Sequence, residues 1–158
     1  MDILLNELRA GLPTAEETAR IVIRLLTALI AGAIAGIDRE RVGKAAGLRT
    51  HMLVALGAAA FVLTAELSGL DAQRGIVIQG VAAGIGFIGG GAILKSAPSK
   101  EIYGLTTAAG IWMTAAAGVA AGIGRIGLAL LVSLMGLVIL NVLARAEAWM
   151  GTHESKDA

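Results

Sequence analysis

Five apolar runs, at about residues 21–37, 50–67, 75–94, 105–123 and 126–143, leave this chain few ways to fold. Each is close to the roughly 20 apolar residues that cross a bilayer core as a helix. None alternates polar and apolar positions as the strands of a membrane barrel do. A soluble bundle would need amphipathic helices to cover these five, and the sequence has none left over. Only 16% of residues are charged, against roughly 25% in an average soluble domain. The expected fold class is therefore all-α, a polytopic membrane helix bundle of about five transmembrane helices with the lipid bilayer as its surroundings.

Composition removes several functions. A net charge of +1 gives no footprint for nucleic acid. The absence of cysteine removes disulfides, thiolate metal sites and cysteine nucleophiles. The opening MDILLNELRAG has no basic region ahead of a long apolar one, so the first apolar helix is expected to stay in the mature protein. Three regions are expected: an N-terminal interfacial segment at 1–13, a transmembrane domain at 14–145 and a mobile polar cytoplasmic tail at 146–158. Thr14, with Glu17 three residues on, is a helix-start signal. Arg24 stands near the entry of the first span, where a long side chain can snorkel.

The enzyme motifs fail on context. Gly84-Ile-Gly86-Phe-Ile-Gly89 and Gly122-Ile-Gly124-Arg-Ile-Gly127 match a dinucleotide fingerprint, but that pattern works only between a strand and a helix. One match lies inside a span and the other straddles a turn. Gly43-Lys44-Ala45 lacks both the earlier glycine and the hydroxyl of a phosphate loop. His51 and His153 are too far apart to suggest a metal site. No catalytic residues, metal ligands or cofactors are expected, and the chain is expected not to be an enzyme.

Two kinds of feature remain. Small residues recur at helix-packing spacing: Ala28, Gly32 and Gly36 on the first span, Gly80, Gly84, Gly86 and Gly90 on the third, Gly118 and Gly122 on the fourth. Such ridges let helices approach closely, either within one protomer or against a second copy or another membrane protein. Polar groups inside spans are costly and usually face the bundle interior. Glu66, Arg74, Gln79, Thr106, Thr107, Thr114 and Asn141 are of this kind, expected to form interhelical hydrogen bonds. Asp38, Arg39 and Glu40 close the first span, and Arg49, Thr50 and His51 open the second. A short connection brings these ends together, so the six are expected to form one polar cluster. The carboxylates all sit at span ends, which weakens a magnesium-transport reading, since that cation wants oxygen ligands along its path. Lysines and arginines concentrate in residues 38–49, 95–104 and the tail, which places those segments in the cytoplasm and the N-terminus outside.

Gly36-Ile-Asp-Arg-Glu40, Ala46-Gly-Leu-Arg-Thr-His51, Gly84-Ile-Gly-Phe-Ile-Gly-Gly-Gly91 and Gly104-Leu-Thr-Thr-Ala-Ala109 followed by Trp112 occur in that order. This set resembles the MgtC/SapB family of bacterial inner-membrane proteins. The resemblance singles out Gly36, Gly84, Gly86, Phe87, Gly89, Gly91, Thr106, Thr107 and Trp112 as family-motif positions. Asp38 stands where the family usually has Glu, Gly90 where Ala is common, and Gln79 one position from a polar residue of the family. Longer members carry a cytoplasmic domain after the last span, for which the tail here is too short. The resemblance implies a membrane protein linked to growth under magnesium limitation and, in pathogens, to survival inside host cells. It also implies regulation of another membrane protein, with ATP synthase as the named target. Members are often labelled magnesium transporters, which keeps a cation transporter subunit as the alternative.

Overall fold

The Thr14 signal sets the first helix. Its hydroxyl accepts from the Glu17 N–H at 3.2 Å, and the Glu17 carboxylate accepts from the Thr14 N–H at 2.8 Å. This reciprocal pair satisfies two of the N–H groups that a helix start leaves open. The computed structural model describes residues 12–95 and 102–154, so most of the interfacial segment expected at 1–13 lies outside it. Helix α1 spans Ala15–Arg41, α2 Leu48–Leu67, α3 Arg74–Gly91, α4 Leu105–Gly122 and α5 Ile126–Glu154. All five are long and apolar enough to cross a membrane.

Three boundaries differ from expectation. Helix α1 runs through Arg41, so Asp38, Arg39 and Glu40 lie on its last turn and the connection is only 42–47. Helix α5 continues to Glu154, past the end expected for the fifth span at about residue 143 and into the segment expected as a polar tail. Alanine, arginine and glutamate after Leu143 are good helix formers, and hydropathy says nothing about where a helix ends outside the lipid. The third apolar run ends its helix at Gly91. Leu94 and Lys95 then pair antiparallel with Tyr103 and Ile102. Gly104 closes this hairpin at φ +91, where a Cβ would lie 2.0 Å from the Ala92 carbonyl oxygen. Only glycine meets both demands.

Helices α1, α2 and α4 form the inner bundle, α5 packs on α4 and α1, and α3 leans on α4 and α2. The core is built from alanine, including Ala28, Ala31, Ala55, Ala59, Ala117 and Ala121. Backbones therefore meet almost directly. A Cβ on Gly32 would lie 2.6 Å from the His51 carbonyl oxygen, and one on Gly118 would lie 2.3 Å from that of Ala55. In lipid, where burying apolar surface brings no gain, such close van der Waals contact is what joins helices. Large apolar side chains point outward instead, among them Phe61, Phe87, Leu131 and Ile139. The glycines of α3 do not follow the expected ridge. Gly80, Gly84, Gly86 and Gly90 meet no atom within 4 Å, and only Gly89 reaches α4, at Ala108. Helix α3 is turned so that Ile85 and Gly89 face inward, and it is the least buried of the five spans.

Candidate functional site

Helix α2 carries a polar cluster at each end. His51 and Glu66 are 15 positions apart, about 22 Å along a helix axis. At the first end, the last turn of α1 meets the start of α2. Gly47 precedes α2 and has no side chain to cap it. Glu40 does so from α1, accepting from the Leu48 N–H at 2.8 Å. A Cβ on Gly47 would lie 1.8 Å from that Glu40 oxygen, so the glycine makes room for the cap. A carboxylate here also faces the positive end of the α2 dipole. Arg39 is buried and pairs with Asp38, its Nε donating to Oδ2 at 2.9 Å and its Nη2 to the same oxygen.

His51 is fully buried where α1, α2 and α4 converge. Its Nδ1 lies 2.9 Å from the Gly47 carbonyl oxygen, which makes Nδ1 the protonated nitrogen. Nε2 then carries the lone pair, and a Cβ on Gly110 of α4 would lie 3.6 Å from it. Gly36 packs on the Leu48 backbone and His51 Cβ, and Thr107 is buried on α4. Of the six residues expected to cluster, the structure thus brings together Asp38, Arg39, Glu40 and His51. Arg49 is exposed and, among the described residues, makes no ion pair or hydrogen bond. It stands on the outer side of the first turn of α2, outside the cluster expected for it, and the arginine that pairs with a carboxylate here is Arg39, with Asp38. Thr50 is half-buried with no side-chain hydrogen bond among the described residues.

The second end was only partly legible. Glu66 was expected to matter with Arg74, and the two are 3.6 Å apart. The closer partner is Arg24. Its Nη1 donates to Glu66 Oε2 at 2.8 Å and to the Gly122 carbonyl oxygen at 3.0 Å. Arg24 thereby closes the C-terminus of α4, where a cation complements the helix dipole. The expectation that it snorkels to the interface is corrected: it turns inward. Its signal was present in sequence, as a lone cation inside one span at the same depth as a lone anion in the next. A small polar pocket of about 200 Å³ opens here between Glu17, Arg20, Arg24 and Glu66.

The remaining polar positions do not join either cluster. Thr114 donates to the Gly110 carbonyl oxygen at 2.9 Å and Asn141 to that of Leu137 at 2.9 Å. Both bonds stay within one helix, in place of the expected interhelical ones, because a side chain can reach back to the carbonyl one turn earlier. Thr106, Phe87 and Trp112 are exposed, as are Gly86, Gly91 and Gln79, and Gly84 lines a cavity between α2 and α3. That cavity, of about 620 Å³, is lined by apolar residues such as Leu53, Gly57, Phe61, Val77 and Ile88. It holds no ionisable group among its lining residues.

Comparison with known proteins agrees with this architecture. The family model described as "MgtC family" matches residues 25–149. The chain is 40% identical over 141 residues to "Protein SrpB" of Synechococcus elongatus, covering 80% of this chain and 78% of that one. It is 43% identical over 135 residues to "Putative magnesium transporter YhiD" of Escherichia coli, covering 79% and 61%. It is 37% identical over 127 residues to "Protein MgtC" of Salmonella typhimurium, covering 80% and 53%. The chain thus spans little more than half of the MgtC protein. No solved structure matches. The matched region begins one residue after Arg24; it takes in the His51 cluster, Glu66 and Arg74 of the second cluster, all of α2, α3 and α4 and most of α1 and α5, and the chain belongs to the MgtC family.

Proposed function

We propose that this multi-pass membrane protein is a non-enzymatic regulator. It acts on another membrane protein through helix contacts under magnesium limitation, with ATP synthase as the first partner to test. The supporting observation is the inside of α2. Between His51 and Glu66 its buried residues are Ala55, Ala58, Ala59, Val62, Leu63 and Ala65, all apolar. The buried hydroxyls of Thr27, Thr114 and Ser133 donate to carbonyls of their own helices. The carboxylates at the ends are engaged by Arg39, the Leu48 N–H and Arg24. A hydrated cation needs a run of free oxygen ligands, and this interior favours contact over conduction. In the same reading, the link at 42–47 and the C-terminus face the cytoplasm of a bacterial inner membrane.

The alternative is a magnesium or other cation transporter subunit, the activity carried by the printed name of YhiD. Inverted membrane vesicles with and without this chain, at matched ATP synthase levels, test the regulatory reading. ATP-driven proton pumping is expected to fall when the chain is present. Unchanged pumping would remove ATP synthase as the partner.

A further inference from the structure

In a bundle whose helices mostly meet backbone to backbone, α2 and α3 leave a gap of about 620 Å³. Gly57 of α2 and Gly80 and Gly84 of α3 line it, and a Cβ on any of them would meet nothing within 4 Å. Ala58, Ile85 and Ala115 at its floor are buried, whereas Leu53, Phe61 and Ile88 at its rim are exposed. The gap is therefore a slot with its mouth on the outer surface of the bundle. It extends from Leu53 to Phe61 along α2, about 12 Å, and from Val77 to Ile88 along α3, about 16 Å.

The slot's chemistry decides what fills it. Folded interiors leave few voids larger than a water molecule, and the walls of an empty slot lose their dispersion contacts. Water is a poor filling, because a buried water needs polar partners and no lining side chain offers one. A transmembrane helix of a partner is too wide. It is about 10 Å across, so about 16 Å of it fills about 1,250 Å³, twice the space present. A single hydrocarbon chain suits the slot, whose length is close to one leaflet of a hydrocarbon core about 30 Å thick.

The charges at the two ends differ. Arg74 stands three residues before Val77, but Glu66 lies 3.6 Å from it and would repel an anion. At the other end, Arg49 stands one helical turn before Leu53, on the same side of α2. It is exposed and, among the described residues, makes no ion pair or hydrogen bond. A guanidinium offers the fork of donors that matches a phosphate, and its uncompensated charge favours a headgroup of net negative charge. We propose that the slot takes one acyl chain of an anionic phospholipid whose phosphate is bound by Arg49. Gly57, Gly80 and Gly84 keep the walls apart, since any larger side chain there would enter the slot. The site stands independently of the regulatory reading above.

The full chain, reconstituted in liposomes with a phosphatidylglycerol that carries a photoreactive diazirine midway along one acyl chain, tests this. After irradiation and digestion, label per residue in 53–61 and 77–88 is expected to exceed that in 128–142 of α5 about threefold. Gly84→Leu fills the slot and should lower the label in those two segments about threefold, leaving α5 unchanged. Gly57→Leu, from the facing wall, makes the same test if melting in detergent shows that Gly84→Leu does not fold. A phosphatidylcholine probe with the same chain should label the slot about threefold less than phosphatidylglycerol, and Arg49→Ala should remove that difference. Three results would overturn the proposal. One is even labelling of α2, α3 and α5. Another is slot label indifferent to a folded slot-filling variant. The last is a wild-type slot that labels equally with both headgroups, or a preference that survives Arg49→Ala.

Discussion

Two arginines with similar sequence surroundings have opposite fates. Arg39 is buried against Asp38, whereas Arg49 is exposed without a partner among the described residues. Removing one member of a buried pair leaves a charge uncompensated, a loss on the order of 3 kcal/mol. Arg39→Ala is therefore expected to lower thermal stability in detergent markedly. Arg49→Ala should change it by no more than about 0.5 kcal/mol. Equal effects would contradict the assignment. Glu40 offers a second test. Glu40→Ala removes the α2 cap and should cost about 1 kcal/mol, while Glu40→Gln keeps an acceptor oxygen and most of the stability. The same melting measurement separates them, and equal losses for both would show that charge rather than the hydrogen bond matters. Sequence placed these residues near one another because the helix ends are adjacent in the chain. It did not say which side chains point inward, since that depends on α1 continuing to Arg41 and on the angle at Gly47.

At the level of elements, the five spans were legible because lipid demands an apolar run of fixed length, and hydropathy records it directly. The hairpin around Gly104 was not, because four paired residues leave no periodic trace. Glycine ridges were legible as ridges but not by partner. Those on α1 and α4 close on α2, and Gly80, Gly84, Gly86 and Gly90 on α3 meet no atom within 4 Å, yet all share one spacing. The rotation of a helix about its own axis settles this, and contacts far away in sequence fix that rotation. Gly118→Leu should therefore abolish folded protein, since even a Cβ would lie 2.3 Å from the Ala55 carbonyl oxygen. Gly86→Leu should leave the detergent-solubilised protomer folded. Size-exclusion profiles and melting curves check both, and a folded Gly118→Leu protein would refute the backbone contact between α2 and α4. The Arg24–Glu66 bond was missed because it joins residues 42 positions apart. Glu66→Ala should cost about 1.5–3 kcal/mol, the range for a hydrogen bond to a charged group.

On the scale of the whole molecule, the chain is a bundle closed at both ends by ion pairs and filled between them by alanine and glycine. The orientation proposed from loop charges predicts that a cysteine at Lys44 resists an impermeant reagent in intact cells while one at Arg125 reacts. The reverse pattern would invert the topology. The central claim is that this interior joins helices and does not conduct ions. Purified protein reconstituted in liposomes loaded with a magnesium-sensitive dye tests it most directly. The account predicts magnesium entry no faster than in protein-free liposomes at any protein density. Saturable entry that rises with protein density, and that falls when Asp38 or Glu66 is replaced by Ala, would contradict it.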